Sequence, residues 1–367
     1  MQAVVVHDLA KGPALEDVEV DEPRAGEVLV RIAASGICGS DLHVLHGRSS
    51  VTVLPCVLGH EGAGVVEAVG PGVATVAPGD HVVVALYGPC LKCHNCLTGN
   101  IAQCDGEERI AAISSRMADG STRLHQGPTT VYPFVGAGTL AEQTVVRETQ
   151  VVKIAPDVPL DVICLAGCGV TTGLGAVFNI GRPGPGDTVA VVGCGGVGLN
   201  VVQGARLAGA KRIIAIDTNP VKLDLAADFG ATDVVRGDET PMLDEVRRLV
   251  PGGVDVAFEV VGIPQLMADT LELTRPGGTC VVVGSMPPGA VIPVRGAALF
   301  QERRLLGCLG GSNIPQRDIP RIVDLYRGGR IRLDELIGKR VGLPDFAAGI
   351  AATEAGEVAR SVVTMAS

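Results

Sequence analysis

Tryptophan is absent from this 367-residue chain, and aromatic residues of all kinds make up 2% of it. Its cores must therefore be filled by Val, Ile, Leu and Ala. Basic runs are missing too, and the formal net charge is −10, which excludes nucleic acid as an expected partner. The start, MQAVVVHDLAKGPALEDVEV, lacks a basic region followed by an apolar stretch and a small-residue cleavage site. No signal or transit peptide is expected, and the chain is read as cytoplasmic. Two uncharged stretches, 162–181 and 188–205, are interrupted by Gly, Thr and Asn; they read as buried elements of a soluble protein, so no membrane is expected. Heptads, internal repeats and low-complexity tails are also lacking. What abounds is glycine, 50 residues of it, a sign of tight turns and close backbone approaches. The length suffices for two domains with cores of their own.

Cysteine is concentrated in one place. The stretch CLKCHNCLTGNIAQC brings Cys90, Cys93, Cys96 and Cys104 within reach of a single ion. A disulfide framework would need an oxidising compartment. An iron–sulfur cluster also uses CxxCxxC runs, but here no proline follows the last cysteine, which itself comes late for such a run. Four thiolates around a tetrahedral structural zinc fit the spacing and a reducing compartment.

A second, dispersed donor set lies in SGICGSDLHVLHG at 35–47, LGHEGAG at 58–64 and LAGCGVTTG at 165–173. These supply Cys38, Asp41, His43, His60, Glu61 and Cys168. A buried Cys or His alone is usually core packing. A Cys, a His and a second Cys from distant segments instead match an open three-ligand zinc site with a position left for substrate.

Downstream, TVAVV reads as a short buried strand running into Gly193, Cys194, Gly195, Gly196, Val197 and Gly198. An apolar helical face follows, then a second strand ending at Asp217. Strand, glycine turn, helix, strand and terminal acid form the dinucleotide fingerprint. Gly193 allows the turn, Gly195 lets backbone approach a pyrophosphate, and Gly198 lets helix sit on strand. The helix N-terminus attracts the anion without a basic patch. Asp217 accepts the adenosine ribose hydroxyls and repels a 2′-phosphate, so NAD is expected over NADP, with Lys222 near enough to touch the ribose.

Together these motifs resemble the zinc-dependent medium-chain alcohol dehydrogenase family, and the similarity spans essentially the whole chain. The resemblance implies an α/β protein: a GroES-like β-rich catalytic domain at 1–169 and 310–367 with a zinc lobe at 88–106, and a doubly wound parallel-sheet Rossmann domain at 170–309, the active site lying in the cleft between them. It implies two zinc ions per chain, a catalytic one on Cys38, His60 and Cys168 and a structural one on the lobe. Asp41 would fix the histidine ring, Glu61 would stand behind the metal, Ser40 would meet substrate oxygen, and His43 would end a proton relay at solvent. Thr172, Val197 and Val283 would lie at the nicotinamide and Arg360 at the pyrophosphate. Leu86, Phe134 and Val135 would line the substrate pocket, and 300–311 would pair two subunits in a homodimer. Two departures matter. Gly39 stands where many relatives carry a cation for the pyrophosphate, and Leu86 stands where a large aromatic commonly narrows the pocket.

The expected activity is hydride transfer between NAD and a primary or secondary alcohol, bulky or aromatic, giving the aldehyde or ketone. One rival is a thiol-adduct-dependent formaldehyde dehydrogenase. Such enzymes hold the adduct's carboxylate with an arginine shortly after the fourth lobe cysteine; here Asp105, Glu107 and Glu108 come first and Arg109 only after them. The other rival is a catalytically retired zinc- and NAD-binding protein.

Overall fold

The computed structural model describes residues 1–365. It divides into two compact units, Met1–Cys168 together with the C-terminal segment from Ile314, and Gly169–Asn313. The expected boundaries, 169 and 310, thus move by one residue and by a few. Among the described residues no single helix is long and apolar enough to cross a membrane. The uncharged stretch 162–181 is broken into short pieces, Leu160–Ile163, Cys164–Gly167, Gly169–Gly175 and Ala176–Gly181.

The first unit is built on a seven-stranded sheet whose central member, Glu27–Ile37, is flanked by Glu61–Val69 on one side and Arg360–Thr364 on the other. Valine dominates these strands because a β-branched side chain packs well on a pleated surface. Val28, Val30, Ile32, Val66, Val82, Val84 and Val363 form one buried cluster, each such side chain contributing about 1.5 to 3 kcal/mol by leaving water.

Register within this sheet does the work of assembly. Gly36 stands opposite Glu61, and Ile37 opposite Ser361. Cys38, His60 and Arg360, each next to a paired residue, are therefore brought to one end of the sheet. The strand His81–Val84 pairs with Glu61–Val69 through Val84 and Gly62. Just beyond it, the Leu86 N–H donates to the Gly167 carbonyl at 2.9 Å, which delivers Cys168 to the same place.

The second unit is a six-stranded parallel sheet. In space its strands run Asp233–Arg236, Arg212–Asp217, Thr188–Val192, Val254–Glu259, Thr274–Val282 and Arg304–Gly307. In chain order that is third, second, first, fourth, fifth and sixth, the doubly wound arrangement in which the strand order reverses beside the first strand. Its strands read as near-continuous apolar runs, as a sheet covered on both faces requires, and Ala190, Val192, Ile214, Ile216 and Ala257 are buried together. The segment expected to pair subunits falls on the helix Gly296–Phe300 and the strand Arg304–Gly307, which ends the sheet. Phe300 beside it is 93% exposed.

Candidate functional site

Two metal-ligating clusters exist among the described residues. Cys38, His60, Glu61 and Cys168, all buried, offer donor atoms within 4.8 Å of one another. Bonds of about 2.0 to 2.3 Å to one zinc ion require such a spread. Cys38 caps the helix Gly39–Leu45, and Asp41 in that helix's first turn is fully buried. One Asp41 oxygen accepts the Cys38 N–H at 2.9 Å; the other accepts the Gly59 N–H at 3.0 Å and lies 3.4 Å from His60 Nδ1. That carboxylate sets the loop, the helix cap and the imidazole together. Neither ring nitrogen makes a hydrogen bond: Nδ1 faces the Asp41 carboxylate, which leaves Nε2 buried with its lone pair free for a ligand. A nitrogen left without a partner in this way is costly unless a ligand takes its lone pair, so the donor set fits zinc.

The electrostatics agree. A hydrogen bond from Cys168 holds the Cys38 thiol well below its usual range, and the same bond pushes Cys168 well up. The two sulfurs share a proton that a divalent cation would displace. Burial pushes the Glu61 carboxyl up to about 7, against the pull of Arg360. Burial alone would lower His60, but Asp41 and Cys38 more than reverse it.

Arg360, expected at a pyrophosphate, lies beside the donor set. Its guanidinium is buried, with Nε 3.4 Å from Glu61 Oε2 and Nη2 3.7 Å from Cys38 Sγ. The pairing of Ser361 with Ile37 turns it there, where it balances negative charge on Cys38 and Glu61. Gly36 also matters. A Cβ at that position would collide with the Glu61 carboxylate and stand 2.7 Å from Leu165 Cδ2.

Ser40 and His43 lie on the helix Gly39–Leu45, three residues apart and so on one face. Both are half-buried. Burial lowers the His43 pKa, outweighing Cys38, while Arg48 lowers it further; the ring is neutral at physiological pH. Phe134 is buried with its ring edge-on to His60, centroids 5.4 Å apart. Val135 next to it is half-buried in a left-handed backbone, φ 47°. Leu86 packs with Tyr87, Ile101 and Ala102. Gly39 is exposed, with open space where a side chain would project.

The second cluster joins Cys90, Cys93, Cys96 and Cys104. Backbone N–H groups of Cys90, Cys93, Cys96 and Gly106 point at these sulfurs over 3.3 to 3.5 Å. Donors of this kind favour thiolates, and those of Lys92 and Cys93 bring Cys90 to about 7. Arg109 is buried inside the lobe. Its Nη1 donates to the Cys104 carbonyl at 3.0 Å, its Nη2 to that of Ala102, and its guanidinium lies over the Tyr87 ring. Asp105, Glu107 and Glu108 stay exposed.

In the second unit the strand Thr188–Val192 runs into Gly193 at φ 95° and the helix Gly196–Leu207, capped by Gly195. A Cβ on Gly195 would meet nothing within 4 Å, so open space lies before the helix N-terminus, whereas one on Gly198 would overlap the Gly193 carbonyl oxygen. This is a cradle shaped for a pyrophosphate. Asp217 accepts the Cys194 N–H at 2.7 Å on one oxygen and the Asn219 N–H at 2.9 Å on the other, with lone pairs to spare for ribose hydroxyls. Lys222 lies half-buried in the first turn of the helix Pro220–Phe229. Gly173 sits where a Cβ would be 2.5 Å from the Val197 carbonyl, so the helices bearing Thr172 and Val197 touch. The Val283 N–H donates to the Glu259 carbonyl at 2.8 Å.

Comparison with known proteins agrees with both halves. Residues 24–157 match the family description "alcohol dehydrogenase GroES-like domain", and 196–327 match "zinc-binding dehydrogenase". An S-(hydroxymethyl)glutathione dehydrogenase of Saccharomyces cerevisiae is 40% identical over 92% of this chain and 89% of its own. An alcohol dehydrogenase class-3 of Zea mays is 38% identical over 99% and 96%. Among solved structures, benzyl alcohol dehydrogenase from Acinetobacter calcoaceticus superposes with a TM-score of 0.93 at 31% identity, covering 100% of this chain and 99% of that one.

Proposed function

Since the chain belongs to the zinc-dependent medium-chain alcohol dehydrogenase family, we propose that it transfers a hydride between NAD and bulky or aromatic primary alcohols, giving the aldehyde. The observation that carries this is the convergence of Cys38, His60 and Cys168 at one sheet end, with the Phe134 ring laid against His60.

Cys38, His60 and Cys168 would hold a zinc ion, which would supply the Lewis acidity that acidifies an alcohol hydroxyl and polarises a carbonyl. The glycine turn and Asp217 would hold NAD, which would supply the hydride acceptor. The remaining tasks fall to the protein's own side chains. Asp41 fixes the His60 ring, and Arg360 offsets the charge of Cys38 and Glu61. The Ser40 hydroxyl takes the substrate proton as it gives up its own, and His43, one turn on and neutral, accepts the relayed proton and releases it to water.

This role for His43 sets a pH signature. Its lowered pKa keeps the base available from alkaline pH down to below 6.5, so wild-type oxidation should fall only beneath that value. His43→Gln should cost of order 100-fold in kcat/KM near neutrality, shrinking at alkaline pH as hydroxide replaces the base. A pH-rate profile of the variant parallel to wild type would remove His43 from the relay.

The names of the relatives favour a second reading, oxidation of a formaldehyde–thiol adduct. Against it stands Arg109, whose guanidinium is engaged by lobe carbonyls, with exposed acids around it. NADH formation with benzyl alcohol, ethanol, and formaldehyde with and without glutathione separates the two. Each methylene buried beyond ethanol should add roughly 0.8 kcal/mol, so benzyl alcohol should exceed ethanol in kcat/KM by at least about a hundredfold. Strong glutathione-dependent formaldehyde oxidation, with benzyl alcohol near background, would establish the second reading.

A further inference from the structure

The acid that ends the second strand of the dinucleotide sheet has a cation beside it. In the parallel register Asp217 stands opposite Arg236, the last residue of the strand Asp233–Arg236. Register partners project from the same face of a sheet. The Gly237 N–H donates to the Asp217 carbonyl at 3.1 Å, tying the two strand ends together. The Arg236 guanidinium is already engaged: Nε and Nη2 donate to the two oxygens of Asp238 at 2.9 and 2.8 Å, and Nη1 lies 3.2 Å from Glu239 Oε1. These side chains are substantially exposed, and ion pairs of that kind contribute little to stability. Their effect lies instead in where they hold the guanidinium.

A dinucleotide seated on the glycine turn places its adenosine ribose at the end of the second strand, where an acid selects a 2′-hydroxyl and a nearby arginine accommodates a 2′-phosphate. This chain carries both. Resting on the proposed dinucleotide site, we infer that Arg236 is a specificity-determining residue for the cofactor, a 2′-phosphate ligand kept engaged by Asp238 and Glu239 while Asp217 claims the ribose. With Asp217 on the ribose and the guanidinium held by Asp238 and Glu239, a 2′-phosphate meets carboxylates rather than a free cation. Without Asp217 the planar fork of Arg236 can exchange Asp238 for the phosphate, whose geometry it matches equally well.

The test is equilibrium binding of NADH and NADPH to the whole protein, read by nicotinamide fluorescence, which needs no turnover. Four proteins are compared: wild type, Asp217→Gly, Asp217→Gly with Arg236→Ala, and Asp217→Gly with Asp238→Asn and Glu239→Gln. The wild type should prefer NADH, and Asp217→Gly should move the preference toward NADPH. Arg236→Ala in that background should reduce the preference for NADPH by between about tenfold and about a hundredfold, the effect of hydrogen bonds to a charged group. Freeing Arg236 through Asp238→Asn and Glu239→Gln should raise it further. The inference is overturned if Arg236→Ala leaves the NADPH to NADH ratio unchanged, as a purely structural clasp would, or if Asp217→Gly gains nothing toward NADPH. A wild type that binds neither nucleotide overturns the dinucleotide site itself, and the inference with it, a result distinct from the other two.

Discussion

Cys168→Ala protein should be inert toward every alcohol offered while still carrying the lobe metal. The substitution removes one of three donors and leaves Cys38 without the hydrogen bond that chiefly lowers its pKa. His60 and Cys38 alone would hold zinc poorly, and Lewis acidity worth several kcal/mol would go with it. Turnover should fall by at least about a thousandfold. Metal analysis by plasma emission should read one zinc per chain in the variant against two in the wild type. Cys93→Ala provides the converse, since its loss should empty the lobe and leave the dispersed set intact. A Cys168→Ala protein that keeps both zinc ions and turns over normally would refute the assignment of that cysteine.

A second large effect is expected from a single methyl group. Gly198→Ala places a Cβ on top of the Gly193 carbonyl oxygen. Gly193 is itself at φ 95°, a conformation other residues rarely adopt, and the clash is with backbone rather than a movable side chain. The helix Gly196–Leu207 must therefore lift from the strand Thr188–Val192, and its first N–H groups lose their aim. Two charge-assisted hydrogen bonds to a pyrophosphate lost together amount to about 3 to 6 kcal/mol, more than about a hundredfold in NADH affinity by fluorescence titration. All the proposed zinc ligands belong to the other unit, so zinc content should stay at two. NADH affinity near the wild-type value would mean that the turn does not hold the pyrophosphate.

What could be read in the sequence was whatever is written in contiguous residues. The four lobe cysteines span one short stretch, and the glycine turn with its flanking strands falls at 188–192 and 212–217 as its pattern predicts. The dispersed donors were legible because each sits in a distinctive local motif. What depends on which strand lies beside which was not. Arg360 meets Glu61 only because Ser361 pairs with Ile37, more than 300 positions away in the chain. Arg236 likewise stands opposite Asp217 only through strand pairing, though across a far shorter stretch of chain. The sequence placed acids ahead of Arg109, but it does not reveal that the Arg109 guanidinium folds back onto the carbonyls of Ala102 and Cys104. Gly36 carries no motif at all, and its necessity appears only once the Glu61 carboxylate is seen in the space a side chain would need.

The lobe and the dispersed set differ in how much chain must be gathered to close them. Cys90 to Cys104 is a short loop, whereas Cys38 to Cys168 is roughly ninefold longer, and each doubling of a flexible loop adds about 0.6 kcal/mol of closure entropy. A disordered chain thus meets a handicap of about 2 kcal/mol at the longer set before any packing offsets it. In a newly made chain the first ion should therefore go to the lobe, and the dispersed donors should take theirs only after the strands Glu27–Ile37 and Glu61–Val69 have paired, so that metal capture there follows tertiary folding rather than guiding it.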